Sequence, residues 1–351
     1  MTSVSIKDDP ALLDRLVGDQ RAASGLFAAG AYWSEYTERI VEEIRLSGIG
    51  EFRRNTRIGK GFTDTLQRSP MDTRLRKSRT FRFHQLVAAL PLVRRHVLSH
   101  YERLIRNVQT EAIQHEGALL QLKGRAMMEK HAALLRTLDT VAGGSDHAME
   151  IDGRPIALAY LRQLGRLEAL APTMAFEDGA RVLEIGGGFG VNAHLQLTLF
   201  PQIRHYLYVD IPPMLYIGTQ YLKAHFGDAV LSYTDWCRDK PGDLAALPQR
   251  IYCLPPWVLT DLVFPWDRAM NAASFQEMDG AQIDFYLDYL SRNARPDARL
   301  AALYYCSNNR SLEEADFMAT LSAHMQVEAL GQPEGNLDPQ MLYFLARPGK
   351  G

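Results

Sequence analysis

From residue 181 onward the chain alternates short apolar runs with helical stretches, and this alternation limits its fold more than any other feature. The runs are "RVLEI" (181–185), "HYLYVD" (205–210), "RIYCL" (250–254), "RAMNAAS" (268–274), "RLAALYYC" (299–306) and "MLYFLAR" (341–347). Strand-length runs separated by helical spacing predict parallel βαβ units in a doubly wound α/β sheet. Before about residue 172 the pattern is mainly helical. "AYWSEYTERIVEEIRLSG" sets Tyr32, Tyr36, Ile40, Ile44 and Leu46 roughly on one face and stops at Gly48. "HQLVAALPLVRRHVLSHYERLIRNVQTEAIQ" continues in that style, with Pro91 marking a kink or boundary. Between them "EFRRNTRIGKGFTDTLQRSPMDTR" is polar, basic and glycine-containing, and reads as a long loop. "VAGGSDHAMEIDGRP" (141–155) is the candidate junction, dividing a helical region, 1–150, from an α/β domain, 151–351.

The composition, 46% hydrophobic and 23% charged over 351 residues, suits a soluble globular chain with a substantial core. No leader is expected at residues 1–30, and no stretch nears the roughly 18 apolar residues of a membrane span. Cys237, Cys253 and Cys306 are odd in number and lack paired spacing, so neither disulfides nor zinc are expected, and the cytosol is the expected location. The net charge of −2 conceals twelve Lys and Arg against three Asp and Glu between residues 51 and 100. That segment is either a solvated face or a surface for an anionic ligand, with Arg54, Arg57 and Lys60 beside "RIGKGF" as the candidate contacts. No nucleic-acid-binding motif accompanies it, so nucleic acid is not an expected partner.

The first run leads into "GGGFG", four glycines in five positions. In a doubly wound sheet ligands bind at the carboxyl ends of the strands, and glycines there admit a ligand close to the backbone. The dinucleotide fingerprint G-x-G-x-x-G fails, because counting from Gly186 its last position is Val191. The spacing present is E-x-G-x-G-x-G: Glu184, Gly186, Gly188, Gly190. Twenty residues beyond Gly190 the next strand ends in Asp210, followed by Ile211. A carboxylate there can accept from both ribose hydroxyls while Ile211 offers adenine an apolar surface; the competing reading of Asp210 is a helix cap.

The glycine spacing resembles motif I of the class I S-adenosylmethionine-dependent methyltransferases. "VLEIGGGFG", "LYVDIPPMLYIGTQYLKAHF", "MNAASFQEM" and "IDFYLDYL", in that order, further resemble the sugar O-methyltransferase family, with looser echoes in "AYWSEYTERI" and "EFRRN". The resemblance implies a Rossmann-like domain with a seven-stranded, mostly parallel sheet whose last strand, "MLYFLAR", is antiparallel, preceded by the helical region as cap, acceptor-binding or oligomerisation element. It also implies S-adenosyl-L-methionine as cofactor, S-adenosyl-L-homocysteine as product and a sugar or glycoside hydroxyl as acceptor. Glu184, the glycines, Asp210 and Ile211 would line the cofactor, with Leu254 on the adenine side and Asn271 at the end of the fourth strand.

The acceptor should sit over that fourth strand, where Ser274 and Gln276 are candidate substrate contacts and Glu277, then Asp279, candidate bases. Glu277 is the first choice, against a competing reading as a first-turn helix residue favoured by the macrodipole. Glu277, Asp279, Asp235 and Asp239 could gather Mg²⁺, but acidic loop residues are usually solvated and no metal is expected. The expected partner is a small-molecule acceptor, anionic or sugar-bearing, and a homo-oligomer stays open. So do a non-sugar hydroxyl or amine acceptor, a nicotinamide-dependent oxidoreductase and a non-catalytic binding module.

Overall fold

A computed structural model describes residues 4–23, 25–27, 31–59, 107, 109–241, 243–305, 313–331 and 341–349. The N-terminal part contains α1 (Pro10–Ala22), α2 (Ala31–Ser47), a one-turn helix Thr56–Gly59, and helical residues 109–123 leading into α3 (Arg125–Lys130) and α4 (Ala132–Leu135). Asp9 starts α1 by accepting from Leu12 N at 3.1 Å, and Pro10 follows at a position whose N–H would have no helical acceptor. The helix then buries Leu12, Leu13 and Leu16.

Residues 148–157, which overlap the end of the stretch read as a junction, form a hairpin. Strands β1 (Ala148–Ile151) and β2 (Arg154–Ala157) pair antiparallel across Asp152 and Gly153, both at positive φ (51° and 74°), the geometry a two-residue hairpin turn demands. The hairpin leads directly into α5 (Leu158–Leu170).

The second half follows the alternation. Its elements are β3 (Ala180–Ile185), α6 (Val191–Leu199), β4 (Ile203–Val209), α7 (Pro212–Phe226), β5 (Val230–Leu231), α8 (Tyr233–Asp239), β6 (Ile251–Leu254), β7 (Trp266–Ala272), α9 (Gly280–Asn293), β8 (Ala294–Tyr305), α10 (Glu314–His324), β9 (Met325–Gly331) and β10 (Met341–Pro348). The sheet order is β5-β6-β4-β3-β7-β8-β10-β9. All pairs are parallel except those made by β10, which runs antiparallel to both β8 and β9. Among the described residues the sheet therefore has eight strands rather than seven. The additional one, β5, is a two-residue edge strand too short to show periodicity. β9 is also absent from the run pattern, because "MQVEALG" intersperses polar residues with apolar ones. The central β3 is almost wholly buried, as a parallel strand covered on both faces must be.

The buried hydrophobic residues form a main cluster and a smaller one of Leu170, Met174, Met270, Ala301, Leu303 and Tyr343. The main cluster joins Leu12, Leu16, Ile44 and Phe52 of the N-terminal part to Leu183, Tyr208, Leu254 and Phe344 of the sheet. No helix among the described residues is long and apolar enough to cross a membrane.

Candidate functional site

The glycine loop leaves the carboxyl end of β3 and turns into α6 between the ends of β4 and β7. Gly186, Gly188 and Gly190 have φ of 74°, 63° and 89°, left-handed values that other residues adopt only with strain, and Gly190 is the N-cap of α6. A Cβ on Gly186 would run into the Ser274 side chain, which crosses from the end of β7. The register of the parallel strands sets Ile185 beside Val209 and Asn271, so the loop, Asp210 and the β7 turn meet at one edge.

Asp210 lies 8% exposed at the end of β4. Its Oδ2 accepts from Gly188 N at 2.8 Å and its Oδ1 from Ile211 N at 2.7 Å. Burial pushes its carboxyl up to about 8, helped by the charges of Glu184 and Glu277 and opposed by those two backbone donors. Glu184 sits below the loop, 1% exposed, accepting from Asn192 Nδ2 at 2.9 Å and Tyr206 Oη at 2.8 Å. Burial also raises its carboxyl, against the pull of those donors and of Arg166. Both Glu184 oxygens already have protein donors, so its visible work is to anchor the start of α6 to the sheet.

At the end of β7, Asn271 is fully buried. Its Nδ2 donates to Ile185 O (3.0 Å) and Ser274 Oγ (2.6 Å), and its Oδ1 accepts from the Ser274 and Phe275 amides at 3.1 Å. This network holds a turn in which Ala273, a non-glycine residue, has φ 66°, a conformation that surrounding contacts must enforce. Gln276 is buried, and Glu277 ends the short 3₁₀ turn Phe275–Glu277, half-buried and within electrostatic reach of Asp210. Asp279 acts structurally, as a helix cap. Its Oδ1 accepts from Gln282 N at 2.9 Å, and Gln282 reciprocates to form the capping box of α9. Leu254 is fully buried at the end of β6, in register with Val209. Trp257 donates through Nε1 to Tyr233 Oη at 3.0 Å.

Sequence reasoning passed over three aromatic residues of this region. Tyr206 and Tyr208 lie beneath the loop, Tyr208 donating to Gly188 O. Tyr286 of α9 is buried, and burial together with the Asp210 charge raises its hydroxyl above the ordinary range. The alternation "HYLYVD" was the available signal: Tyr206, Tyr208 and Asp210 share one face of β4.

The basic segment is placed in part. Arg54 is ion-paired with Asp146 (2.8 Å) and Glu51 (2.9 Å), and Arg57 with Glu43 (3.0 Å); both guanidinium groups are at the surface. Arg53 turns inward. Its Nη1 donates to Thr140 O (2.6 Å) and Ala142 O (3.0 Å), and its guanidinium lies 4.8 Å from the ring centre of Phe189, in the glycine loop. Lys60, Gly61 and Phe62, the second half of "RIGKGF", lie outside the described residues. Among the described residues no three His, Cys, Asp or Glu side chains gather in a metal-binding group.

The strand order, the single antiparallel strand next to the edge and the glycine loop on the first central strand define the Rossmann-like fold of class I methyltransferases. Solved structures with partial likeness include a mitomycin 7-O-methyltransferase, at 17% identity over 55% of this chain and 57% of that one, with a TM-score of 0.37. Another is a TehB-like S-adenosylmethionine-dependent methyltransferase from Corynebacterium glutamicum, at 14% identity over 64% and 100%, TM-score 0.37. A third is the N-methyltransferase NodS from Bradyrhizobium japonicum, at 14% identity over 54% and 94%, TM-score 0.34. No protein-family model matches the chain, and no curated protein matches its sequence.

Proposed function

We propose that the chain is an S-adenosylmethionine-dependent O-methyltransferase acting on a sugar or glycoside hydroxyl. The observation that carries the nucleoside part is the meeting of Asp210, at the end of β4, with the left-handed glycine loop at the end of β3. The residues fit such a ligand: Gly186 and Gly190 cannot carry a Cβ at their φ without strain, and the buried Asp210 carboxyl is suited to a diol. Val191, buried in the first turn of α6, stands where a dinucleotide fold would need its third glycine, which disfavours the oxidoreductase reading. Gly186, Gly188, Gly190, Asp210, Ile211 and Leu254 would hold the cofactor, with Glu184 and Asn271 fixing the loop from below and beside. When bound, S-adenosylmethionine supplies a methyl group on a sulfonium leaving group.

The chain's own residues then have to orient an acceptor oxygen and remove its proton. Glu277 is the proposed base, because it projects from the β7 turn close enough to Asp210 to influence its ionisation. Ser274 and Gln276 are the proposed acceptor contacts. Arg54 and Arg57 would join them only by exchanging Asp146, Glu51 and Glu43 for an anionic acceptor. Residues 1–150 would form the cap over that side. A sugar rather than another hydroxyl or an amine rests on the sequence resemblance alone.

Adding S-adenosylhomocysteine tests the reading. It should raise the melting temperature by mass action, and NAD should not. A shift with NAD and none with S-adenosylhomocysteine would overturn it.

A further inference from the structure

Gly187 has no left-handed φ to explain it, yet it sits between two glycines that do. Its reason is a neighbour. A Cβ on Gly187 would fall on the ring edge of Tyr208 and 2.9 Å from Glu184 Oε2. A Cβ on Gly218, in the middle of α7, would meet the hydroxyl end of the same ring, 2.6 Å from its Cζ. Real Cβ atoms essentially never come that close, so the two glycines form a slot that holds the Tyr208 ring edge-on. Within the slot the Tyr208 hydroxyl donates to Gly188 O. Two residues along the same face of β4, Asp210 Oδ2 takes Gly188 N–H at 2.8 Å. Both backbone polar groups of Gly188 are thus held by side chains of one strand.

We propose that Tyr208 is a positioning residue for the nucleoside loop, fixing the Gly188 carbonyl so that the loop stays in place when Asp210 is shared with a ligand's ribose. This role rests on the nucleoside-site reading above. Asp210 alone cannot supply it, since a carboxylate that accepts from ribose hydroxyls has less to offer Gly188 N–H. Burial keeps the Tyr208 hydroxyl protonated and therefore a donor at any ordinary pH. The role also accounts for glycine at 218, where helix propensity alone would favour alanine.

The test is Tyr208→Phe in the full chain, titrated calorimetrically with S-adenosylhomocysteine. Loss of one buried hydrogen bond should raise the Kd about tenfold. In acceptor turnover the loss should fall on the KM for S-adenosylmethionine more than on kcat, a split that general loosening of the core would not give. Gly218→Ala, which keeps the tyrosine but crowds it, should weaken binding in the same direction. Combining it with Tyr208→Leu should cancel that increment, as coupled neighbours do. If Tyr208→Phe fails to fold, the Gly218→Ala titration decides alone. A Kd within twofold of the parent in the folded variants overturns the positioning role. A parent protein that binds no S-adenosylhomocysteine overturns instead the nucleoside-site reading on which the role depends.

Discussion

Asp210 is buried beside two other carboxylates, and its carboxyl, pushed up to about 8 by burial first and by Glu184 and Glu277 second, holds its proton at neutrality. The sign of the consequence follows from linkage. Between the ordinary value of 3.8 and about 8 the native protein binds the extra proton, so this group's contribution to stability is full below 3.8 and declines as pH rises through 8. Ribose hydroxyls donate best to the ionised form, so ligand binding competes with that proton. The affinity for S-adenosylhomocysteine should therefore increase between pH 6 and 8, by up to about tenfold per pH unit, and proton release should accompany binding. Calorimetry in buffers of different ionisation enthalpy measures both. Asp210→Asn should flatten the pH profile, and an unchanged slope in that variant would assign the proton to another group.

The turn from β7 into α9 places two acidic residues two positions apart in different roles. Asp279 caps α9, so Asp279→Ala should cost about 1 kcal/mol of stability with little effect on turnover. Glu277→Gln keeps size and reach but removes basicity, and should lower kcat by roughly 10²–10⁴-fold while the protein still melts at the parent temperature. Steady-state kinetics beside a thermal melt separates them; a Glu277→Gln kcat within about tenfold of the parent, below that range, would deny it the role of base. Spacing alone left these two carboxylates nearly interchangeable, because it carries no record of which one reaches a backbone amide. The same element scale shows what sequence does carry. Apolar runs located β3, β4, β6, β7 and β8, since parallel strands are buried on both faces, and the antiparallel β10 showed as an apolar run as well. β5 and the β1–β2 hairpin escaped because strands of two to four residues are too short to have a readable period. The glycine spacing marked the loop, but the ring that explains Gly187 and Gly218 comes from a different strand, a contact no local pattern reveals.

Across the whole molecule, the N-terminal helices and the sheet share one core, and a buried cluster of rings ties three helices together. Tyr160 of α5 shares hydrogen bonds with His194 Nδ1 (2.5 Å) and the Tyr221 hydroxyl, while His194 of α6 stacks on His225 of α7 with ring centres 3.8 Å apart. Burial holds both histidines below their ordinary value of 6.5, His225 at about 4, and the Arg53 cation adds to this; Asp139 opposes it at His225. His225 Nε2 has no hydrogen-bond partner among the described residues, although the atom is buried. Here the unfolded chain takes up protons first. The stability these groups contribute is complete above pH 6.5 and is lost as pH falls toward 4. For His225 alone the loss reaches about 2 kcal/mol by pH 5. His225→Phe keeps a ring against His194 and removes both the basic nitrogen and its unsatisfied buried atom. The variant should match or exceed the parent's melting temperature at pH 7, and its fall between pH 7 and pH 5 should be smaller by about 3 °C. Parallel melting curves for parent and variant across that interval would move the acid sensitivity away from this junction of α5, α6 and α7.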